Sequence, residues 1–408
     1  MSNIISFLVI TAASLIGLRG DYAPNQLLNF GLLVVIAYLL SRMMCFLRLP
    51  AVIGYILAGI LAGHNGLGLL HEMSVSNMAL VEGLCVMIIL SDAVRFMFEG
   101  ASLNGFSKYF LSGMISSIGT LILTIVLLLP FSIPIQMKIA LGLFAATFSP
   151  LICFSYIEHD DLYPSGAQIA FGGFICAILL WGFMAPLWDQ IYPSRIKLAF
   201  MPFVISITSI LTGFVWVFLF EKLFSQESRS LKHFFPLATM FLIYPLCMEI
   251  GLDYLFVAIG AGIYNGLVSE WAKDSSKPAE LSVLIVFSFF GTQLSLGEAL
   301  LLGSTGWGIA ALISAGIVFS KIATIKLSTN ILFPQPRQHI STVCFIPYGP
   351  LALIALRRFL PGFGAGVNGE FDKFSIFSLC TIIIILTIIV SVFYLVLREQ
   401  WLKGTRSS

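Results

Sequence analysis

The sequence predicts an all-α, polytopic membrane protein of about 13–14 transmembrane helices. Three observations carry this. Hydrophobic residues make up 58% of the chain and charged residues 10%, against a globular norm of about 25% charged, which excludes a soluble reading. The apolar residues gather in repeated runs of about 15–26 residues, each long enough to cross about 30 Å of hydrocarbon. The runs do not alternate in polarity as the roughly 10-residue strands of a membrane barrel do. Backbone polar groups in lipid must be paired within the segment, so the runs are helices.

Fourteen spans are expected, near 4–18, 28–47, 50–64, 76–97, 107–130, 135–157, 165–188, 199–221, 233–250, 252–268, 279–297, 305–333, 339–358 and 374–398. The first is short, and Met1-Ser2-Asn3 before it lacks the basic residues of a signal peptide. Most connections are short, so residues 1–408 read as a single membrane domain with no soluble domain. The seven cysteines, Cys45, Cys85, Cys153, Cys176, Cys247, Cys344 and Cys380, all fall in apolar runs. Without CxxC or Cys/His spacing they read as small buried hydrophobes, with no disulfide, no metal site and no cofactor. A net charge of +2 predicts no nucleic-acid partner, and no enzyme motif is present; the expected surroundings are a lipid bilayer. Basic residues are about twice as numerous on the side holding Arg42, Arg95, Lys222, Lys326 and Arg398, which makes that side, and the C-terminus, cytoplasmic. The cell (inner) membrane is the expected location.

Lys321 lies near the middle of the run 305–333. A lysine at the bilayer midplane costs roughly 2.5–3.5 kcal/mol on an insertion scale and by default marks a functional site; the bland alternative is snorkelling to the interface. Two runs carry helix breakers at their centres: Thr147-Phe148-Ser149-Pro150, and Pro347-Tyr348-Gly349-Pro350. Proline removes a donor and clashes with the preceding turn, and backbone groups so freed are tolerated at membrane depth only beside a cavity or inside protein. Breaks in corresponding positions of two halves point to an inverted-repeat transporter site; pairing spans three to seven with ten to fourteen makes these two equivalent. Thr147, Ser149 and Tyr348 could supply oxygen ligands or bond within their own helices. Among the acids, Asp92 has Arg95 one helical turn on, so an ion pair is the plain reading. Glu249 ends the ninth span and reads as interfacial. Glu82, Glu158, Asp160 and Asp161 fall near span ends and are expected to be solvated.

Further stretches resemble the monovalent cation/proton antiporter superfamily, of the sodium/hydrogen exchanger type. Pro50-Ala51-Val52-Ile53-Gly54 through Gly59 and Gly63 is similar to its signature helix, P-x-V-x-G-x-x-x-x-G-x-x-x-G, whose small residues let helices approach closely. Ile88-Ile89-Leu90-Ser91-Asp92-Ala93 resembles its LLF-x-x-GL helix. Gly251-Leu252 through Gly260-Ala261-Gly262 resembles GLS-x-x-x-GAF-x-AG. Phe289-Phe290-Gly291 with Leu294 is similar to FF-x-x-x-G-x-x-L, and Ile346-Pro347-Tyr348-Gly349-Pro350-Leu351 to x-PRG-x-x-A-L. Lys321 lies where the family carries a basic residue beside its ion site. The motifs follow the family's order over roughly residues 28–398. The resemblance implies inverted repeats, two crossed broken helices around an ion site, a homodimer, and exchange of Na+ or K+ for protons by alternating access.

The chain departs from that pattern at the residue on which the exchange usually rests. The family carries an Asp-Asp or Asn-Asp pair in the helix after the first break; the aligned residues here are Gly173-Phe174, followed by Cys176. Its Thr-Asp-Pro becomes Thr147-Phe148-Ser149-Pro150. Desolvation disfavours the charged form of a buried lysine, so Lys321 could itself carry the proton. The alternatives are a displaced acid, Asp92 or Glu249; a transport-inactive relative acting as sensor or interaction partner; or the same fold carrying an anion.

Overall fold

Why these runs fold as separate helices is visible in their faces. In α7 (Arg195–Leu223) the side chains Val204, Ile207, Leu211, Val215 and Phe218 recur at helical spacing and are exposed, while Ser206 and Ser209 face inward and are buried. An apolar outer face with a small, polar inner face is the reverse of a soluble helix and is what lipid selects. The computed structural model describes residues 26–47, 49–63, 66, 75–98, 103–131, 135–149, 163–188, 195–223, 235–268, 276–294, 303–332, 348–352, 354–355, 379–391 and 393. The expected first span, with Pro150, Pro347, Glu158, Asp160 and Asp161, lies outside the described residues.

The described elements are all helical: α1 (Gln26–Phe46), α2 (Ala51–Ala62), α3 (Val75–Phe98), α4 (Leu103–Leu128), α5 (Ile135–Ala146), α6 (Tyr163–Trp188), α7, α8 (Phe235–Ile250), α9 (Tyr254–Leu267), α10 (Ser276–Thr292), α11 (Gly303–Leu332) and α12 (Leu379–Ser391). Most bounds follow the expected spans within a few residues; α5 is the exception, ending at Ala146 and not near residue 157, because the backbone at residues 147–149 leaves the helix. Four segments are long and apolar enough to cross a membrane by themselves: Asn29–Phe46, Phe106–Leu128, Phe203–Leu223 and Ala310–Leu332. The all-α, polytopic architecture is therefore the one the sequence predicts.

The chain divides into two units. One comprises residues 1–82 and 283–294, the other residues 83–282 and 295–408. In the first, α2 packs on α1 and on the last turns of α10. A Cβ added to Gly59 would run into the Ser288 carbonyl oxygen, and one added to Gly291 would run into the Ile56 carbonyl oxygen. Each backbone thus needs the other's missing side chain. The glycine spacing of the signature motif does here what close packing in lipid requires, where dispersion and not water drives association.

The second unit repeats the device twice. Gly113 of α4 lies against the Ile169 carbonyl of α6, and Gly172 of α6 against the Phe110 carbonyl of α4. Gly213 of α7 meets the Val257 carbonyl of α9, and Gly260 meets that of Ile210. Such crossings leave no room for even a methyl group. Gly260→Val is expected to lower the thermal midpoint strongly, because the clash is with backbone; overpacking of this kind costs about 1–3 kcal/mol or more. Differential scanning fluorimetry in detergent checks it.

Helix α11 is held to α4 by hydroxyls. Ser328 Oγ lies 2.9 Å from Ser112 Oγ and 2.7 Å from Ser116 Oγ, and Thr120 Oγ1 lies 2.9 Å from Thr324 Oγ1. Interhelical hydrogen bonds in membranes average about 0.6 kcal/mol each. Replacing Ser116 by Ala and Thr120 by Val together is therefore expected to cost about 1 kcal/mol, a small midpoint shift beside that of the glycine variant.

Candidate functional site

Helix α5 stops at Ala146, and residues 147–149 are not helical. A helix end exposes carbonyls that need donors, and here each is met by a different one. Thr147 Oγ1 donates to the Leu143 carbonyl at 3.0 Å. The Tyr348 hydroxyl donates to the Ala145 carbonyl at 3.2 Å. Ser117 Oγ, from α4, donates to the Ala146 carbonyl at 3.0 Å. Lys321 Nζ, from α11, donates to the Thr147 carbonyl at 3.3 Å. The Phe144 and Tyr348 rings stack with centroids 4.4 Å apart. Tyr348 and Gly349 are themselves non-helical, and helix is found from Pro350, so non-helical backbone from two distant parts of the chain meets at this point.

Lys321 is fully buried, at 0% exposure, so it does not snorkel. Its ammonium stands 3.8 Å from the Tyr348 ring centroid and 5.0 Å from that of Phe148. Three favourable effects act on the charge. Cation–π attraction is worth about 2 kcal/mol when desolvated. The negative end of α5 contributes up to about 2 kcal/mol, and a charge-assisted hydrogen bond about 1.5–3 kcal/mol. These interactions oppose the cost of roughly 2.5–3.5 kcal/mol for a lysine in the membrane; the last two overlap, since both come from the carbonyls at one helix end.

The expected ion-site positions fall on α6. Gly173, Phe174 and Cys176 are buried. A Cβ on Gly173 would strike Cδ2 of Phe148, so the ring occupies the space into which a side chain at 173 would project. The same ring faces the Lys321 ammonium. Ser149, 2% exposed, has a buried hydroxyl with no hydrogen-bond partner among the described residues. The hydroxyls of Thr147 and Tyr348 donate to α5 carbonyls and keep their lone pairs for a ligand; of these three oxygens, Ser149 Oγ is the one with no hydrogen-bond partner among the described residues. Thr381 of α12 also carries a buried hydroxyl without a partner among the described residues.

The candidate acids are placed differently. Asp92 Oδ1 lies 2.9 Å from Arg95 Nη2 and accepts from Arg95 Nε at 3.0 Å, the one-turn ion pair its spacing suggested. Glu249 is exposed at the end of α8. Glu82 was expected to be solvated and is not: it is 6% exposed, and its Oε2 accepts from Gln293 Nε2 at 2.8 Å. Its place seven residues into α3 suggested an interface, but α3 is buried from Glu82 to Ser91. The sequence signal for it was Gln293, a polar amide in an apolar run that requires a partner. Phe148 was missed as a site residue, although its place in the altered Thr-Asp-Pro motif marked it.

No family model matches the sequence, and no curated protein matches it. The fold does have a solved counterpart. It aligns with a TM-score of 0.66 and 17% identity to the sodium proton antiporter of Methanocaldococcus jannaschii, determined at pH 8, over 90% of this chain and 98% of that chain. The class is thereby defined at the level of fold: a polytopic, all-helical membrane protein with the architecture of a sodium proton antiporter.

Proposed function

We propose that the protein is a secondary transporter exchanging a monovalent cation for protons by alternating access, with Lys321 as the group that takes up and releases the proton. The observation that carries this is a fully buried lysine whose ammonium donates to the Thr147 carbonyl at the C-terminal end of α5, in a chain sharing its fold with a sodium proton antiporter. When Lys321 is charged it occupies the negative end of α5. When it gives up its proton, the Thr147 carbonyl and the Ser149 hydroxyl become available to an external cation. The two charges then compete for one position, and that competition couples their movements. A homodimer in the cell membrane with a cytoplasmic C-terminus completes the reading.

The test is purified protein in proteoliposomes carrying a pH-sensitive dye. Addition of Na+, K+ or Li+ is expected to drive proton movement for at least one of them. A flat response to all three would remove the transport reading.

One observation favours a second reading. The Phe148 ring fills the space beside Gly173, where the family resemblance puts the exchanging carboxylate. A transport-inactive relative acting as sensor or interaction partner would have that filled site. It predicts no flux for any of the three ions.

A further inference from the structure

A second ionisable side chain is buried in an apolar helix, in the unit built from residues 1–82 and 283–294. Glu82 of α3 is 6% exposed, and its Oε2 accepts from Gln293 Nε2 at 2.8 Å. Gln293 follows directly on the end of α10. Its backbone N–H is shared between the Phe289 and Phe290 carbonyls at 3.2 and 3.3 Å, the tightened geometry of a helix terminus. Its other amide atom, Oε1, is buried and has no hydrogen-bond partner among the described residues. Ser288, on the preceding turn, is 0% exposed, and its hydroxyl is likewise without a partner there.

Helix α2 ends at the same place. Its C-cap is Gly63, and an ideal Cβ on Gly63 would lie 3.2 Å from the Thr292 Cα and carbonyl oxygen. The C-terminal ends of α2 and α10 therefore converge beside the residue that binds Glu82. Each end carries the equivalent of roughly half a negative charge. A carboxylate beside two such ends, in an apolar unit, is a place that attracts one positive charge. Buried unpartnered acceptors are costly, and a cation or an acidic proton is what would satisfy Gln293 Oε1.

The amide suits either occupant. As found, its NH2 donates to the carboxylate. Turned over, it offers Oε1 to the hydroxyl of a protonated Glu82, or to a cation shared with the carboxylate oxygens. A divalent ion would ask for more charge and about 6–8 oxygens; among the described residues no group of three or more His, Cys, Asp or Glu side chains is placed to hold a metal. We propose that Glu82 and Gln293 form a site for a single positive charge, at which a proton and a monovalent cation compete. One proton leaves the Glu82 carboxyl oxygen for water as one cation enters, so the charge of the site is unchanged.

The test is a cation-induced infrared difference spectrum of the full chain in lipid vesicles at fixed, mildly acidic pH, adding Na+, K+ or Li+. The wild type is expected to lose the C=O band of a buried carboxylic acid, Lys321→Ala to lose it equally, and Glu82→Gln to show no such loss. The same band loss in Glu82→Gln, or no cation-induced change in the wild type, overturns the proposal. Should Glu82→Gln fail to fold, Gln293→Leu keeps the carboxylate and removes the amide oxygen. Its half-saturating cation concentration is expected to rise about tenfold, the effect of one lost charge-assisted contact of about 1.4 kcal/mol; an unchanged midpoint overturns the proposal. The spectrum is read at equilibrium, so absent transport leaves this site standing, and a silent Glu82 leaves the role proposed for Lys321 untouched.

Discussion

Lys321→Ala is expected to abolish cation-dependent proton movement in proteoliposomes while leaving a folded protein of lower thermal midpoint. The loss of stability has a definite source. The Thr147 carbonyl accepts from Lys321 Nζ, and a buried acceptor left without its donor costs about 1–3 kcal/mol. The cavity vacated by the side chain adds to this, while removal of a charge from the membrane interior offsets part of it. The loss of function is the more telling result when Lys321→Arg is measured beside it. A guanidinium keeps the positive charge and the donors but does not release its proton in the physiological range. If Lys321 carries the proton, Lys321→Arg is inactive although charged. If Lys321 only balances the negative end of α5, Lys321→Arg retains flux, and the proton must be carried by another group.

The second large effect is expected at Gly173. Gly173→Asp would reinstate a carboxylate at the position where the family resemblance places one, but its side chain would enter the volume of the Phe148 ring. Overpacking of a tight core costs about 1–3 kcal/mol, and an acid forced against an aromatic face adds to that. Phe148→Ala alone should also destabilise, by about 3–5 kcal/mol for a buried phenylalanine. Combined, the two changes should be markedly less harmful than their sum, because the carboxylate gains the space of the ring and the Lys321 ammonium that faces it. A coupling energy of about 0.5–3 kcal/mol in the compensating direction, read from thermal or denaturant unfolding of the four proteins, is the expected outcome. Strict additivity would show that Phe148 does not fill the place of the lost acid.

Most of the fold was legible because lipid enforces simple rules. Apolar length fixed the helices, and the Gly54, Gly59 and Gly63 spacing announced close crossings, which the structure places against α1 for Gly54 and against α10 for Gly59 and Gly63. The burial of Lys321 was legible for the same reason: a cation among apolar residues has few explanations. The Asp92–Arg95 pair followed from helical spacing alone. What surrounds Lys321 was not legible. Its partners include a carbonyl and the faces of Tyr348 and Phe148; carbonyls are invisible in a sequence, and Tyr348 stood out for its hydroxyl and not for its ring. Glu82 was misjudged because distance from a span end was used as a proxy for exposure. Burial depends on neighbours distant in sequence, and Gln293 is one of them.

The four capped carbonyls at and just beyond the end of α5 also have a consequence for how the protein is made. Two of their donors belong to α5's own surroundings, Thr147 and Ser117, and are present as soon as that helix is inserted. The other two, Lys321 and Tyr348, lie 174 and 203 residues further along than their acceptors. At about 5–20 residues per second of synthesis, the Thr147 and Ala145 carbonyls wait roughly 10–40 s for these partners at membrane depth. During that interval the C-terminal end of α5 is open to water, to lipid headgroups or to insertion factors, and the chain is a natural target for membrane quality control. Nascent chains ending before Lys321 should therefore be degraded faster than chains ending after Tyr348, which makes closure of this helix end a late step of assembly as well as the centre of the site.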